Sequence, residues 1–332
     1  MRVLVSGANG FIGSALLRRL ITLDGVTAIA GVRRADTLAN QELACEKRVL
    51  GDLAMASLEV GSLCNIDVVV HTAARAHVMH EFASNPLAAY REVNVNGTLH
   101  FAKIAAQAGV KRFIFISSVK VNGEETPPDK AFTASDIPCP LDAYGISKWE
   151  AEQALQKFCE KVGMEWVIIR PPLVYGPGVK ANFQRLMASL ARGIPLPFGA
   201  LDNRRSLVAI DNLVDLLAIC VKHPSAANQV FMVSDGDDIS VAELTELLAL
   251  VLQHPVRTLP IPRYWLRIGL TALGRRLVAQ RLCCELRVDI AKTNSLLNWQ
   301  PPYTAAEALR KTAEHFRDRQ KNPDLLPDGV TT

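Results

Sequence analysis

The stretch VSGANGFIG, residues 5–13, constrains the chain more than any other. It sits between RVLVS (2–6), a β-branched run suited to a strand buried on both faces, and FIGSALLRRLIT (11–22), whose apolar residues recur at helical spacing. Gly7, Gly10 and Gly13 repeat every third residue across that strand–turn–helix junction. Such a turn lets backbone approach a pyrophosphate, and the helix behind it offers free N–H groups and the positive end of its dipole. Asn9, Phe11 and Ile12 lie in the same turn and join the three glycines as cofactor contacts.

The pattern continues for about half the chain. Strands are predicted at 26–34, 47–51, 66–74, 112–118 and 165–171, and helices at 86–109 and 143–163. This alternation predicts an α/β fold with a doubly wound parallel sheet. After Pro171 glycine and proline thicken, so the reading places a dinucleotide-binding domain at 1–171 and a smaller mixed substrate domain at 172–320. Residues 206–235 read as strand, helix and strand returning to the first sheet, and 321–332 as a flexible tail.

Composition excludes little but usefully. A formal charge of +4 is too small to argue for nucleic acid. Seven scattered cysteines, none in a CxxC, fit neither a disulfide framework nor a zinc site. No apolar run reaches membrane-spanning length, and the N-terminal apolar run is broken too early for a signal peptide. The expectation is a cytoplasmic protein without a membrane span.

At the end of the second strand stand Arg33 and Arg34, where dinucleotide-binding chains often place an acid for the ribose hydroxyls. Arginine suits a 2′-phosphate, which favours NADP(H); Asp36, slightly farther on, keeps NAD(H) open. Asp52, in GDL after the third strand, is a candidate acceptor for the adenine amino group, with Leu53 beside it.

Tyr144 and Lys148 stand one turn apart at the start of the helix at 143–163, so they share a face. A phenol titrates near pH 10, about three units too high for easy proton transfer at neutrality, and a neighbouring ammonium pulls it down. The pair reads either as a tuned proton-transfer device or as an ordinary half-exposed helix face.

Together with the glycine turn, this pair resembles the extended short-chain dehydrogenase/reductases: nucleotide-sugar epimerases, dehydratases and ketoreductases. HTAARAHV (71–78), NVNGT (94–98), FISS before VKVNGE, RPPLVYGPG (170–178) and RRSLVAIDNLVD (204–215) agree with it, so the likeness runs over residues 1–317. The resemblance implies Tyr144 as general acid/base, Lys148 as the group that lowers its pKa and binds the nicotinamide ribose, and Ser118 as the hydroxyl on the reacting oxygen. Ser117 is the alternative hydroxyl and a cofactor contact. It further implies cofactor contacts from Ala73, Ala74, Arg75, Asn94, Pro171 and Leu173. It implies substrate contacts from His77, Ser118, Val119, Asn182 and Arg205, with Arg204 as the neighbour of Arg205 and Arg281 and Arg287 as further candidates.

Where family dehydratases carry Asp-Glu after the catalytic hydroxyl, this chain has Val119 and Lys120, which sets dehydration aside. Cys139 and His77 have no spacing that supports carbon epimerisation. The leading expectation is NADPH-dependent reduction of a UDP-4-keto-6-deoxy-hexosamine at C4, in surface-polysaccharide or O-antigen synthesis. The alternative is a UDP-glucose or UDP-N-acetylglucosamine 4-epimerase; a dinucleotide-sensing binding module is the non-enzyme reading. The resemblance also implies a homodimer built on the helices at 86–109 and 143–163. The arginine-rich stretch 260–289 reads as a helix over the sugar site, or as one resting on a membrane surface.

Overall fold

The computed structural model describes residues 1–34, 45–53, 58–76, 85–253 and 258–321. β1 (Arg2–Ser6) leads through the glycine turn into α1 (Phe11–Ile21), followed by β2 (Thr27–Val32), β3 (Glu46–Val49) and β4 (Val68–His71). The helix expected at 86–109 has three parts: α2 (Pro86–Arg91), a π-helical segment Glu92–Gly97, and α3 (Thr98–Gln107). β5 (Arg112–Ile116), α4 (Ala143–Val162) and β6 (Glu165–Arg170) come next. The second half holds β7 (Leu173–Tyr175), α5 (Ala181–Ala191), β8 (Arg204–Ala209), α6 (Ile210–Lys222), β9 (Gln229–Met232), β10 (Asp238–Ser240) and α7 (Val241–Leu252). It closes with α8 (Arg263–Ala272), α9 (Arg276–Cys283), α10 (Ala291–Leu297) and α11 (Ala305–Lys321).

Seven strands form one parallel sheet in the order β3-β2-β1-β4-β5-β6-β9. Successive strand residues point to opposite faces, so both faces must be covered. Val3, Val5, Ile114 and Ile169 meet α1 and α6 on one side; Leu4, Val69, Phe113 and Ile168 meet α3 and α4 on the other. A smaller mixed sheet, β10-β8-β7, has one antiparallel and one parallel pairing. Over it α5, α7 and α11 share a separate core of Phe183, Leu248 and Leu309 around Tyr175.

Residues 206–235 divide between the two sheets. The strand expected at 206 starts at Arg204 and belongs to the small sheet, contrary to its expected return. Its pleat matches β7 and β10, whereas α6 packs on α1 and β9 pairs with β6. Among the described residues no helix is long and apolar enough to cross a membrane.

Candidate active site

The glycine turn is closed by contacts that only a bare Cα permits. Gly7 has φ +70°, and a Cβ there would lie 2.8 Å from the Ala73 amide nitrogen. A Cβ on Gly13 would stand 2.2 Å from the Gly7 carbonyl oxygen, so α1 and the turn touch backbone to backbone. Gly10 caps α1, with no side-chain cap and no acid in the first turn. The first amides of α1 are therefore left without side-chain acceptors, a cradle that fits the pyrophosphate of a dinucleotide.

The loop after β4 is pinned to this cradle. Thr72 Oγ1 donates to the Ser6 carbonyl at 2.7 Å. Asn94, buried in the π-helical segment, accepts from the Arg75 amide at 2.8 Å and donates to the Arg75 carbonyl at 3.1 Å and to Ser147 Oγ at 3.0 Å. This locks the backbone of Arg75, with Ala73 and Ala74 before it. His71 is fully enclosed between Ser6 and Thr98, and burial drives its pKa down to about 3, so it stays neutral.

α4 carries the tyrosine and lysine. Asp142 caps it by accepting from the Gly145 amide at 2.7 Å, which fixes where Tyr144 enters the first turn. Tyr144 is half-buried, its ring edge-on to Tyr90 with centroids 6.0 Å apart, and Ser118 hydrogen-bonds its phenol. Lys148 is buried: Nζ donates to the Ile116 carbonyl at 2.8 Å, 4.4 Å from the Phe115 ring centre and 6.0 Å from that of Tyr144. Burial lowers this amine to about 7, opposed by Glu152 one turn on. The phenol does not follow the expected direction. Burial first, then Asp142 and Tyr90, raise it above the usual tyrosine range, and only the Ser118 hydrogen bond opposes them. The lysine is aimed at a carbonyl, so desolvation dominates the tyrosine.

The two serines at the end of β5 part company. Ser118 faces Tyr144, while Ser117 is buried and donates its hydroxyl to Glu152. Glu152 also receives Arg170 at 3.0 and 2.6 Å, and Arg170 reaches Asn122 Oδ1 at 3.0 Å. Sequence reasoning missed this buried network. The available signal was Glu152 at i+4 from Lys148 on an inward face, opposite an arginine ending an apolar strand.

The other expected residues scatter. Arg33 and Arg34 are exposed at the end of β2, and Asp52 and Leu53 are half-buried after β3. Pro171 is buried and its carbonyl accepts from the Val119 amide at 3.0 Å; Leu173 is exposed. Val119 is a core residue against Met232, Leu286 and Val288, which removes its side chain from a substrate site. Lys120 is engaged by Glu124 and Asp142. Asn182 is exposed on the first turn of α5. Arg205 donates to the Cys284 carbonyl at 2.7 Å, and burial, with Arg281 nearby, lowers its pKa. Arg204 pairs with Glu243 at 2.7 Å, and Arg287 with Asp238 at 2.7 Å. His77 and Asp36 lie outside the described residues. What is assembled is a phenol and hydroxyl able to pass a proton to and from a carbinol or carbonyl oxygen, beside a dinucleotide cradle.

The sequence and the fold are similar to those of known proteins. A sequence profile of the NAD dependent epimerase/dehydratase family matches residues 3–234. A UDP-glucose 4-epimerase of Vibrio cholerae is 46% identical over 315 residues, covering 95% of each chain. The crystal structure of a UDP-glucose 4-epimerase from Thermotoga maritima with UDP-glucose aligns with a TM-score of 0.78 at 24% identity, covering 96% of this chain and 100% of that one. MoeE5 in complex with UDP-glucose and NAD aligns at 0.73 with 26% identity, covering 96% and 100%.

Proposed function

Because the chain belongs to the NAD dependent epimerase/dehydratase family, as an enzyme of the extended short-chain dehydrogenase/reductase type, we propose that it inverts C4 of a UDP-hexose such as UDP-glucose. The observation that carries this reading is the 46% identity, across nearly the whole of both chains, with the Vibrio cholerae UDP-glucose 4-epimerase. It moves the 4-epimerase ahead of the 4-ketoreductase that the sequence alone put first.

The residues of the cradle fit a nicotinamide dinucleotide. Gly7, Gly10 and Gly13 with the α1 amides would hold its pyrophosphate, Asp52 and Leu53 would face the adenine, and Lys148 would meet the nicotinamide ribose. A nicotinamide bound there would supply reversible hydride transfer at the sugar C4, the chemistry that inversion at this carbon needs. Tyr144 takes the proton of the 4-hydroxyl as the carbonyl forms and gives it back as the carbinol re-forms. Burial and Asp142 hold this phenol protonated at neutral pH, so the phenolate that accepts the proton would form where the positive charge of a bound, oxidised nicotinamide offsets them. Ser118 donates to the same oxygen and keeps it in reach of Tyr144. The Asn94 clamp on Arg75 holds the β4 loop, and with it Ala73 and Ala74, against the turn.

A second reading, NADPH-dependent reduction of a UDP-4-keto-6-deoxy sugar, is supported by Arg33 and Arg34, both exposed where a 2′-phosphate would lie. Pairing of α2–α4 faces into a homodimer is part of either reading. Incubation with UDP-glucose and no added cofactor, followed by chromatography, decides between them. The epimerase reading expects UDP-galactose, and Tyr144→Phe expects a loss of about 10²–10⁴-fold. Stoichiometric NADPH consumption with the keto sugar and no hexose interconversion would overturn it in favour of the reductase.

A further inference from the structure

α8 and α9 form a helical pair whose outer side is left exposed among the described residues. Leu266 and Leu282 turn inward, onto Leu201, Val241 and Cys283. No residue of α8 is fully buried. On its outer side Tyr264 is 66% exposed and Trp265 65%, their rings edge-on with centroids 5.8 Å apart. Ile268, one turn on from both, and Leu273, 74% exposed at the α8 end, extend the apolar surface. Single exposed apolar residues are ordinary, but Tyr264, Trp265 and Ile268 share one face of an amphipathic helix, which marks an interaction face.

The charges around this face say what it meets. Between Glu246 and Glu285 the sequence has no carboxylate, and it has six arginines. Arg263, Arg267, Arg275 and Arg276 are all exposed on the pair. Arg263 reaches only the exposed Asp202, at 3.9 Å, and among the described residues no ion pair engages Arg267, Arg275 or Arg276. A second copy of this chain would bring a like set of guanidinium groups against these, which disfavours self-association. An aromatic pair beside aliphatic side chains, rimmed by exposed arginines, suits the boundary of a negatively charged bilayer. The rings sit at headgroup depth, the aliphatics enter the acyl region and the arginines reach lipid phosphates. Neither helix can span, so contact is in the plane of the interface.

We infer that the α8–α9 pair docks the protein peripherally on anionic lipid, through Tyr264, Trp265, Ile268 and Leu273 with the surrounding arginines. The inference is independent of the reaction catalysed. It is tested on the full chain by co-sedimentation with vesicles of phosphatidylglycerol and phosphatidylcholine in equal parts, against pure phosphatidylcholine. Trp265 is the exposed tryptophan, with Trp149 half-buried and Trp166 and Trp299 buried, so emission compared with that of Trp265→Ser isolates its signal. The expected result is binding to the mixed vesicles only, with a blue-shifted tryptophan emission, weakened by high salt. A cation near an anionic surface strengthens binding about fivefold, so Arg275→Gln with Arg276→Gln should weaken it roughly 25-fold. Trp265→Ser with Ile268→Ser should lose at least tenfold, and both pairs should keep wild-type melting temperature and turnover of a soluble nucleotide sugar. No binding, equal binding to pure phosphatidylcholine, or binding unchanged in both double variants overturns the inference. So does light scattering that shows an oligomer dispersed by Trp265→Ser, which would assign the face to a second copy.

Discussion

Replacing Glu152 with Gln tests whether the buried network under the site behaves as one unit. Glu152 is fully buried and Arg170 is 3% exposed, and their two hydrogen bonds measure 3.0 and 2.6 Å. The substitution keeps the shape and an oxygen that accepts from Ser117 and Arg170 Nε, but it removes the balancing charge and sets an amide N–H against Arg170 Nη2, leaving the guanidinium buried without a counter-ion. Breaking one side of a buried ion pair typically costs about 3–5 kcal/mol, because the remaining charge cannot regain its hydration. An exposed pair gives the scale for comparison. Arg91 binds Glu150 through two nitrogens, at 2.8 and 2.6 Å, yet Arg91→Ala should cost little, because both charges stay in contact with solvent. Urea titrations followed by circular dichroism should show a large fall in midpoint for Glu152→Gln at unchanged slope, and almost none for Arg91→Ala. Combining Glu152→Gln with Arg170→Met should recover much of the loss, since the stranded charge is gone. A single-variant loss below about 1 kcal/mol, or strict additivity in the double variant, would refute the argument.

Gly13→Ala should destabilise the fold by about 1–3 kcal/mol and weaken NAD(H) binding, because its Cβ meets the Gly7 carbonyl rather than a movable side chain; thermal melts and cofactor titration check both. Lys148 titrates near 7 in the fold against its ordinary 10.5, so between those values the unfolded chain holds more protons. Its contribution to stability therefore rises with pH from about 7 to 10.5, and urea midpoints of wild type against Lys148→Met should diverge in the wild type's favour across that window. Arg33→Ala should lower affinity for NADP(H) about tenfold or more and leave NAD(H) nearly unchanged, if the arginine holds a 2′-phosphate; equal affinities in wild type would remove that role.

The parts of the fold that could be read from sequence are those set by local pattern. The β-branched runs become β1, β4, β5 and β6 because strands buried on both faces need apolar side chains throughout. The glycine spacing locates the turn because backbone-to-backbone contact admits no Cβ. Periodicity could not assign β8 to one sheet or the other, since a short apolar strand looks alike in either. Nor does it reveal the π-helical segment, where Asn94 is turned toward Arg75 by tertiary contacts. The direction of the Tyr144 shift was missed for a similar reason. Spacing tells which residues share a helix face, but not that Lys148 bends to the Ile116 carbonyl or that Tyr90 crowds the phenol. The register of Ser117 and Ser118, open in the sequence, follows from Glu152 waiting on the inner side of β5.

The late arrival of β9 has a cost during synthesis. β6 is complete at Arg170, but its neighbour begins only at Gln229, after β7, α5, β8 and α6 have been made. At ribosomal rates of roughly 5–20 residues per second, the nascent chain carries an open, apolar sheet edge for roughly 3–12 s. Val167, Ile168 and Ile169 lie along that edge, a template on which another nascent copy could add a strand. Chaperone dependence and inclusion-body formation should therefore track changes in the speed of translation through 171–228 more closely than changes in the stability of the finished enzyme.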